Sequence, residues 1–139
     1  MSDLTPSTIS APQTSDSDPR LGHWLQKNAD TDSLQAVLVG FPSDEGVKRN
    51  GGRVGAAEAP DEIRKQLYGM TPSAEYYEPF VELLEHCTDA GDVAVSGDLE
   101  QDQRRLGQVV AGYLEEGVVP IILGGGHETA FGHFLGYAE

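Results

Sequence analysis

An apolar run, Val118 to Leu123 (VVPIIL), breaks into Gly124-Gly125-Gly126-His127-Glu128 ahead of a helix-like stretch from Thr129 to Tyr137. Three glycines between a strand and a helix allow a tight turn that points the next side chain into a crevice. That side chain is an imidazole, suited to ligate a metal or to move a proton near neutral pH. From spacing alone, His127 as a functional group and His127 as a helix-start histidine both stay open. It does not begin a zinc HExxH motif, because position 131 is Phe131 and the next histidine, His133, is off the same helical face. His23, His86 and His133 read as structural.

A second polar, Gly-rich loop runs from Gly40 to Ala56 (GFPSDEGVKRNGGRVGA) and carries Arg49 and Arg53, the densest cations in an acidic chain. It has neither GxxxxGK[ST] nor GxGxxG, so it is no phosphate cradle, and alone it reads as a flexible surface loop. No GxSxG elbow occurs, which leaves Ser/His/Asp catalysis unsupported. The acid pairs Asp44 and Glu45, and Asp89 and Asp92, read as solvated surface in a chain this acidic. Cys87, the single cysteine, reads as a small buried thiol and excludes disulfide scaffolds and thiolate clusters.

The elements that must position these loops alternate between strand and helix. Gln35 to Phe41 is apolar on both faces, as in a parallel strand under helices. Pro60, Asp61 and Glu62 open a helix whose Ile63, Leu67 and Met70 have helical spacing, and Gly69, Thr71 and Pro72 close it. Phe80 to Leu84 suggests a short helix, and Cys87 to Val95 a weak strand broken by Gly91. The clearest helix, Leu99 to about Glu116, has one apolar stripe of Leu106, Val109, Val110, Tyr113 and Leu114. Pro120 marks Val118 to Leu123 as an edge strand, a bulge, or a strand whose first residues lie outside the ladder. Leu21 to Leu25, with the single tryptophan, reads as a short helix laid on the body. This order is that of an α/β layered sheet, in which ligands bind beyond the carboxyl ends of the strands. Both Gly-rich loops leave strands at that edge.

The chain has 139 residues, with 9 Lys and Arg against 23 Asp and Glu, a formal charge of −14. That length is one domain. Residues 1–20, rich in Ser, Thr, Pro and Asp, read as a disordered acidic tail, and residues 21–139 as the domain. The acidity excludes nucleic acid and anionic membranes as partners, no transmembrane run or secretory leader is present, and a cytoplasmic protein is expected. Few lysines among dispersed acids resemble the surface of a protein from a high-salt cytoplasm.

Taken in order, Gly40 to Leu67 (GFPSDEGVKRNGGRVGAAEAPDEIRKQL), Asp89 to Val93 (DAGDV) and Gly124 to Glu128 (GGGHE) closely resemble the amino-terminal half of the ureohydrolases, the arginase and agmatinase relatives. Within them the formimidoylglutamase branch is most similar, since the other branches usually carry Asp for the third glycine and Ser after the histidine. The resemblance covers roughly residues 21–139. It implies a three-layer α/β/α fold with a mainly parallel sheet and two manganese ions at the carboxyl edge. It further implies hydrolysis of N-formimidoyl-L-glutamate to L-glutamate and formamide in histidine degradation, and homo-oligomers at full length. By the same resemblance His127 is a metal ligand, and Asn50 and Arg53 shape the pocket for a substrate whose carboxylates need cations. The family's other ligands lie in later Asp-x-His-x-Asp and Asp-x-Asp segments, so these 139 residues are expected to hold about half the fold, one ligand, and no activity alone. An agmatinase or other guanidino or amidino hydrolase, and a non-catalytic remnant or partner-pairing module, are the alternatives.

Overall fold

A computed structural model describes residues 3–27 and 30–138. Along the chain come β1 (Leu4–Thr5), α1 (Leu21–Leu25), β2 (Ala36–Phe41), α2 (Glu45–Arg49), α3 (Ala59–Gly69), α4 (Tyr77–Glu85), β3 (Cys87–Val93), α5 (Leu99–Glu115), β4 (Val119–Gly124) and α6 (Thr129–Ala138). The sheet order is β1-β3-β2-β4, with β2 parallel to β3 and β4, and β1 antiparallel to β3.

Alternation along β2 divides the core in two. Val37, Val39 and Phe41 pack with Val93 and with Leu106, Val109, Val110 and Tyr113 of α5, while Leu38 packs with Leu21 and Leu25 of α1, Tyr68 of α3 and Leu84 of α4. Helices therefore cover both faces of a mainly parallel sheet, the three-layer arrangement expected. Each fully buried aliphatic side chain contributes roughly 1.5–3 kcal/mol. The α5 stripe falls where its spacing put it, and the Asp98 carboxylate starts that helix by accepting the Gln101 N–H at 3.0 Å. No helix among the described residues is long and apolar enough to cross a membrane.

Among the described residues β4 lies at the sheet edge, one of the placements Pro120 leaves open. The Val119 N–H bonds the Gln35 carbonyl, so the alternate position, where proline has no donor, faces the open side.

Three expectations need correction. The inward face of α3 centres on Arg64, 0% exposed, and Tyr68, 1% exposed, with Leu67 packed beside them, whereas Ile63 is 41% and Met70 55% exposed. The Asp89 side chain is buried and that of Asp92 only partly exposed, because both bind that buried guanidinium. An unbroken strand would send residues three apart to opposite faces. Here the register shifts opposite Leu38 and Gly40, and Gly91 takes a φ of +89°, which turns both carboxylates toward α3. Finally, the described part of the expected tail is held in place, while residues 1 and 2 lie outside the described residues. Leu4 and Thr5 pair with the otherwise open edge of β3. The Gln26 amide then donates to the Ile9 carbonyl at 2.7 Å and accepts the Ala11 N–H at 2.8 Å, giving this stretch the backbone partners its sequence lacks.

Candidate functional site

Phe41, the last residue of β2, and Gly124, the last of β4, are register partners on adjacent parallel strands. The two Gly-rich loops therefore leave the sheet side by side at its carboxyl edge. Backbone bonds join them: Gly125 N–H donates to the Phe41 carbonyl at 3.0 Å, and Gly126 N–H to the Ser43 carbonyl at 2.8 Å. A methyl group on Gly125 would sit 2.1 Å from the Ser43 oxygen, so this approach of two backbones demands glycine.

His127 is exposed in the turn between β4 and α6, and its imidazole makes no hydrogen bond among the described residues. Asn50 and Arg53 are exposed as well. Asn50 closes α2, and the Gly52 N–H returns to the Val47 carbonyl at 2.9 Å. Val47 bridges the two loops, since a methyl on Gly52 would lie 2.9 Å from its Cγ1 and one on Gly126 2.8 Å from its Cγ2. Arg49 is turned away: its guanidinium forms a fork with the Glu100 carboxylate at 2.5 and 3.0 Å, which raises the arginine and lowers the acid from their ordinary pKa values. Arg53 makes no such pair among the described residues.

Asp44 and Glu45, read as surface acids, have separate structural work. The Asp44 carboxylate accepts the N–H of Gly55 at 2.7 Å and of Ala57 at 3.4 Å, and the Gly55 bond, foremost, holds it below the usual carboxylate range. It thereby closes the loop carrying Arg53. Glu45 bonds Lys48 and Arg49 along α2. A residue whose role the sequence left open, Glu128, accepts the Gly46 N–H at 3.0 Å and faces the Ser43 hydroxyl at 3.5 Å. Its position directly after His127 was the available signal.

His133 has a different environment from the exposed His127. Its ring is 5.4 Å from that of Tyr137, its Nε2 is buried without a partner among the described residues, and burial holds its pKa below the ordinary value. The unfolded chain thus takes up this proton more readily than the folded one. Its share of stability is complete above about pH 6.5 and is lost as pH falls through the window down to the folded pKa. His133→Gln is expected to flatten the decline in urea-unfolding free energy between about pH 7 and 5; parallel curves for the two proteins would refute this.

Among the described residues, no group of three or more His, Cys, Asp or Glu side chains is placed to hold a metal ion. One free imidazole offers a single coordination position, and two manganese ions need several carboxylate oxygens besides. The described residues therefore do not make a complete metal centre. A cavity of about 1000 Å³ lies elsewhere, lined by Leu34, Thr88, Tyr113 and Glu116 among others, and none of His127, Asn50 or Arg53 borders it.

Comparison with known proteins bears on the family and the fold. Residues 34–139 match the Arginase family. The chain is 50% identical over 101 residues to a formimidoylglutamase of Chromobacterium violaceum, covering 72% of this chain and 30% of that protein. A manganese-bound variant of Trypanosoma cruzi formiminoglutamase superposes with a TM-score of 0.67 at 32% identity, over 84% of this chain and 39% of that one. The agmatine ureohydrolase of Thermoplasma volcanium is less similar, with a TM-score of 0.60 at 27% identity, over 76% and 35%. The chain thus spans about 30% of the length of the curated relatives it matches.

Proposed function

The chain belongs to the arginase family, and from that premise we propose that it carries the amino-terminal part of a formimidoylglutamase active site. In the proposed reaction, water adds to the amidine carbon of N-formimidoyl-L-glutamate. The bond from that carbon to the glutamate nitrogen breaks, and L-glutamate and formamide leave. His127 supplies one ligand to a manganese site whose other ligands lie outside the described residues. Arg53 pairs with a substrate carboxylate, and Asn50 donates a hydrogen bond beside it.

The observation that carries this reading is the junction itself. An imidazole and a guanidinium, both without a side-chain partner among the described residues, stand on two loops stitched together at the carboxyl edge of a mainly parallel sheet. The 50% identity to a formimidoylglutamase favours that substrate over a guanidine.

The test exchanges the matched 101-residue stretch of the Chromobacterium violaceum relative for that of this chain. The graft, with Mn²⁺, is expected to release formamide from N-formimidoyl-L-glutamate within about tenfold of the parent rate, and to leave agmatine untouched. A folded, metal-loaded graft that hydrolyses neither substrate, or that prefers agmatine, would sink the proposal.

A further inference from the structure

We infer that Glu128 is a positioning residue whose carboxylate locks the turn bearing His127 to the loop bearing Asn50 and Arg53; this rests on the reading of that edge as the reaction site. Three segments meet at this residue. Its Oε1 accepts the Gly46 N–H at 3.0 Å, with the Ser43 hydroxyl at 3.5 Å, and its backbone carbonyl accepts the Gln103 side-chain amide of α5 at 2.9 Å.

The Gly46 amide is one of the first donors of α2, left unpaired by the helix itself. The residue placed to cap it, Asp44, makes no cap bond because its carboxylate is committed to Gly55 and Ala57. Glu128 therefore caps α2 from across the junction. One side chain of the His127 turn fixes where the helix leading to Asn50 begins, and Asn50 follows Gly46 by about 6 Å of helix rise.

The glycines around it are shaped to that carboxylate. A methyl on Gly126 would lie 2.0 Å from Glu128 Oε2 and 2.7 Å from its Cδ, and a methyl on Gly46 would lie 3.0 Å from Oε2. Side chain and carboxylate cannot share that space. The third glycine of the GGGHE sequence and the glutamate two residues on are thus one device, since the glutamate occupies the room the glycine leaves.

The test needs neither metal nor substrate, so it stands or falls separately from the graft experiment. In the ¹⁵N-labelled chain, Glu128→Ala is expected to speed exchange of the Gly46 amide by at least about tenfold relative to α5 amides. The order parameters of the His127 and Asn50 amides are expected to fall from about 0.85 to below about 0.6. Glu128→Gln keeps an acceptor oxygen and is expected to preserve both readouts. Gly126→Ala expels the carboxylate and is expected to reproduce Glu128→Ala, while adding nothing to it in the double variant. Unchanged Gly46 exchange in Glu128→Ala, or independent addition of the two changes, overturns the inference. So does lost Gly46 protection with His127 still rigid, because Glu128 would then cap α2 and position nothing.

Discussion

Replacing Arg64 with methionine is expected to lower the unfolding free energy of the chain by about 3–5 kcal/mol, a large share of a typical domain's stability. The guanidinium is wholly buried and spends its donors on several partners. Nε and Nη2 form a fork to Asp89 at 2.7 and 2.9 Å, Nη1 reaches Asp92 at 2.6 Å, and Nη2 also bonds the Gly91 carbonyl at 2.9 Å. Burial pulls its pKa down, but the hydrogen bonds and charges of Asp89 and Asp92 outweigh that and hold it above its ordinary value, so it stays charged. The Tyr68 hydroxyl adds a 2.7 Å bond to Asp89, and burial first, then that carboxylate, push the phenol above its usual range.

Methionine leaves Asp89, with a side chain 2% exposed, and Asp92, 23% exposed, without their cation. An uncompensated buried charge costs more than the pair ever contributed. Lysine restores the charge but not the planar fork, and is expected to recover less than half of the loss. Urea unfolding of the three proteins measures this, and a loss below about 1 kcal/mol for the methionine variant would show that the network is decorative.

The same network shows where sequence reading stops. β2 and α5 are legible because their inward residues are apolar and recur at the strand and helix periods. α3 defeats the same logic in part: its buried residues are Pro60, Arg64 and Tyr68, and of the three apolar positions picked by spacing only Leu67 packs against the core. Asp89 and Asp92 read as solvated surface because acids are so frequent in this chain, and the bulge at Gly91 that turns both toward α3 leaves no mark in their three-residue spacing. Placing Leu4 and Thr5 required knowing that β3 had a free edge, which is a property of the assembled sheet. At the junction, the histidine and the flanking glycines were visible in the sequence. The carboxylate that joins the loops was not, because its partners, Ser43 and Gly46, are about 80 residues away.

His127→Ala in the grafted enzyme is expected to reduce kcat/KM for N-formimidoyl-L-glutamate by at least about 10²-fold, with weakened Mn²⁺ binding, while moving stability by no more than about 0.5 kcal/mol. The two halves of that expectation come from one observation. The imidazole is exposed and bonds nothing among the described residues, so its loss breaks no fold contact. The turn around it is held by Gly125, Gly126 and Glu128 instead. A helix-start histidine with a structural role would give the reverse pattern, with reduced stability and unchanged turnover. Calorimetric titration with Mn²⁺, urea unfolding and a formamide assay on the same preparation separate the two. Turnover within about threefold of the unaltered graft would remove His127 from the metal site and would leave the paired loops as scaffold only.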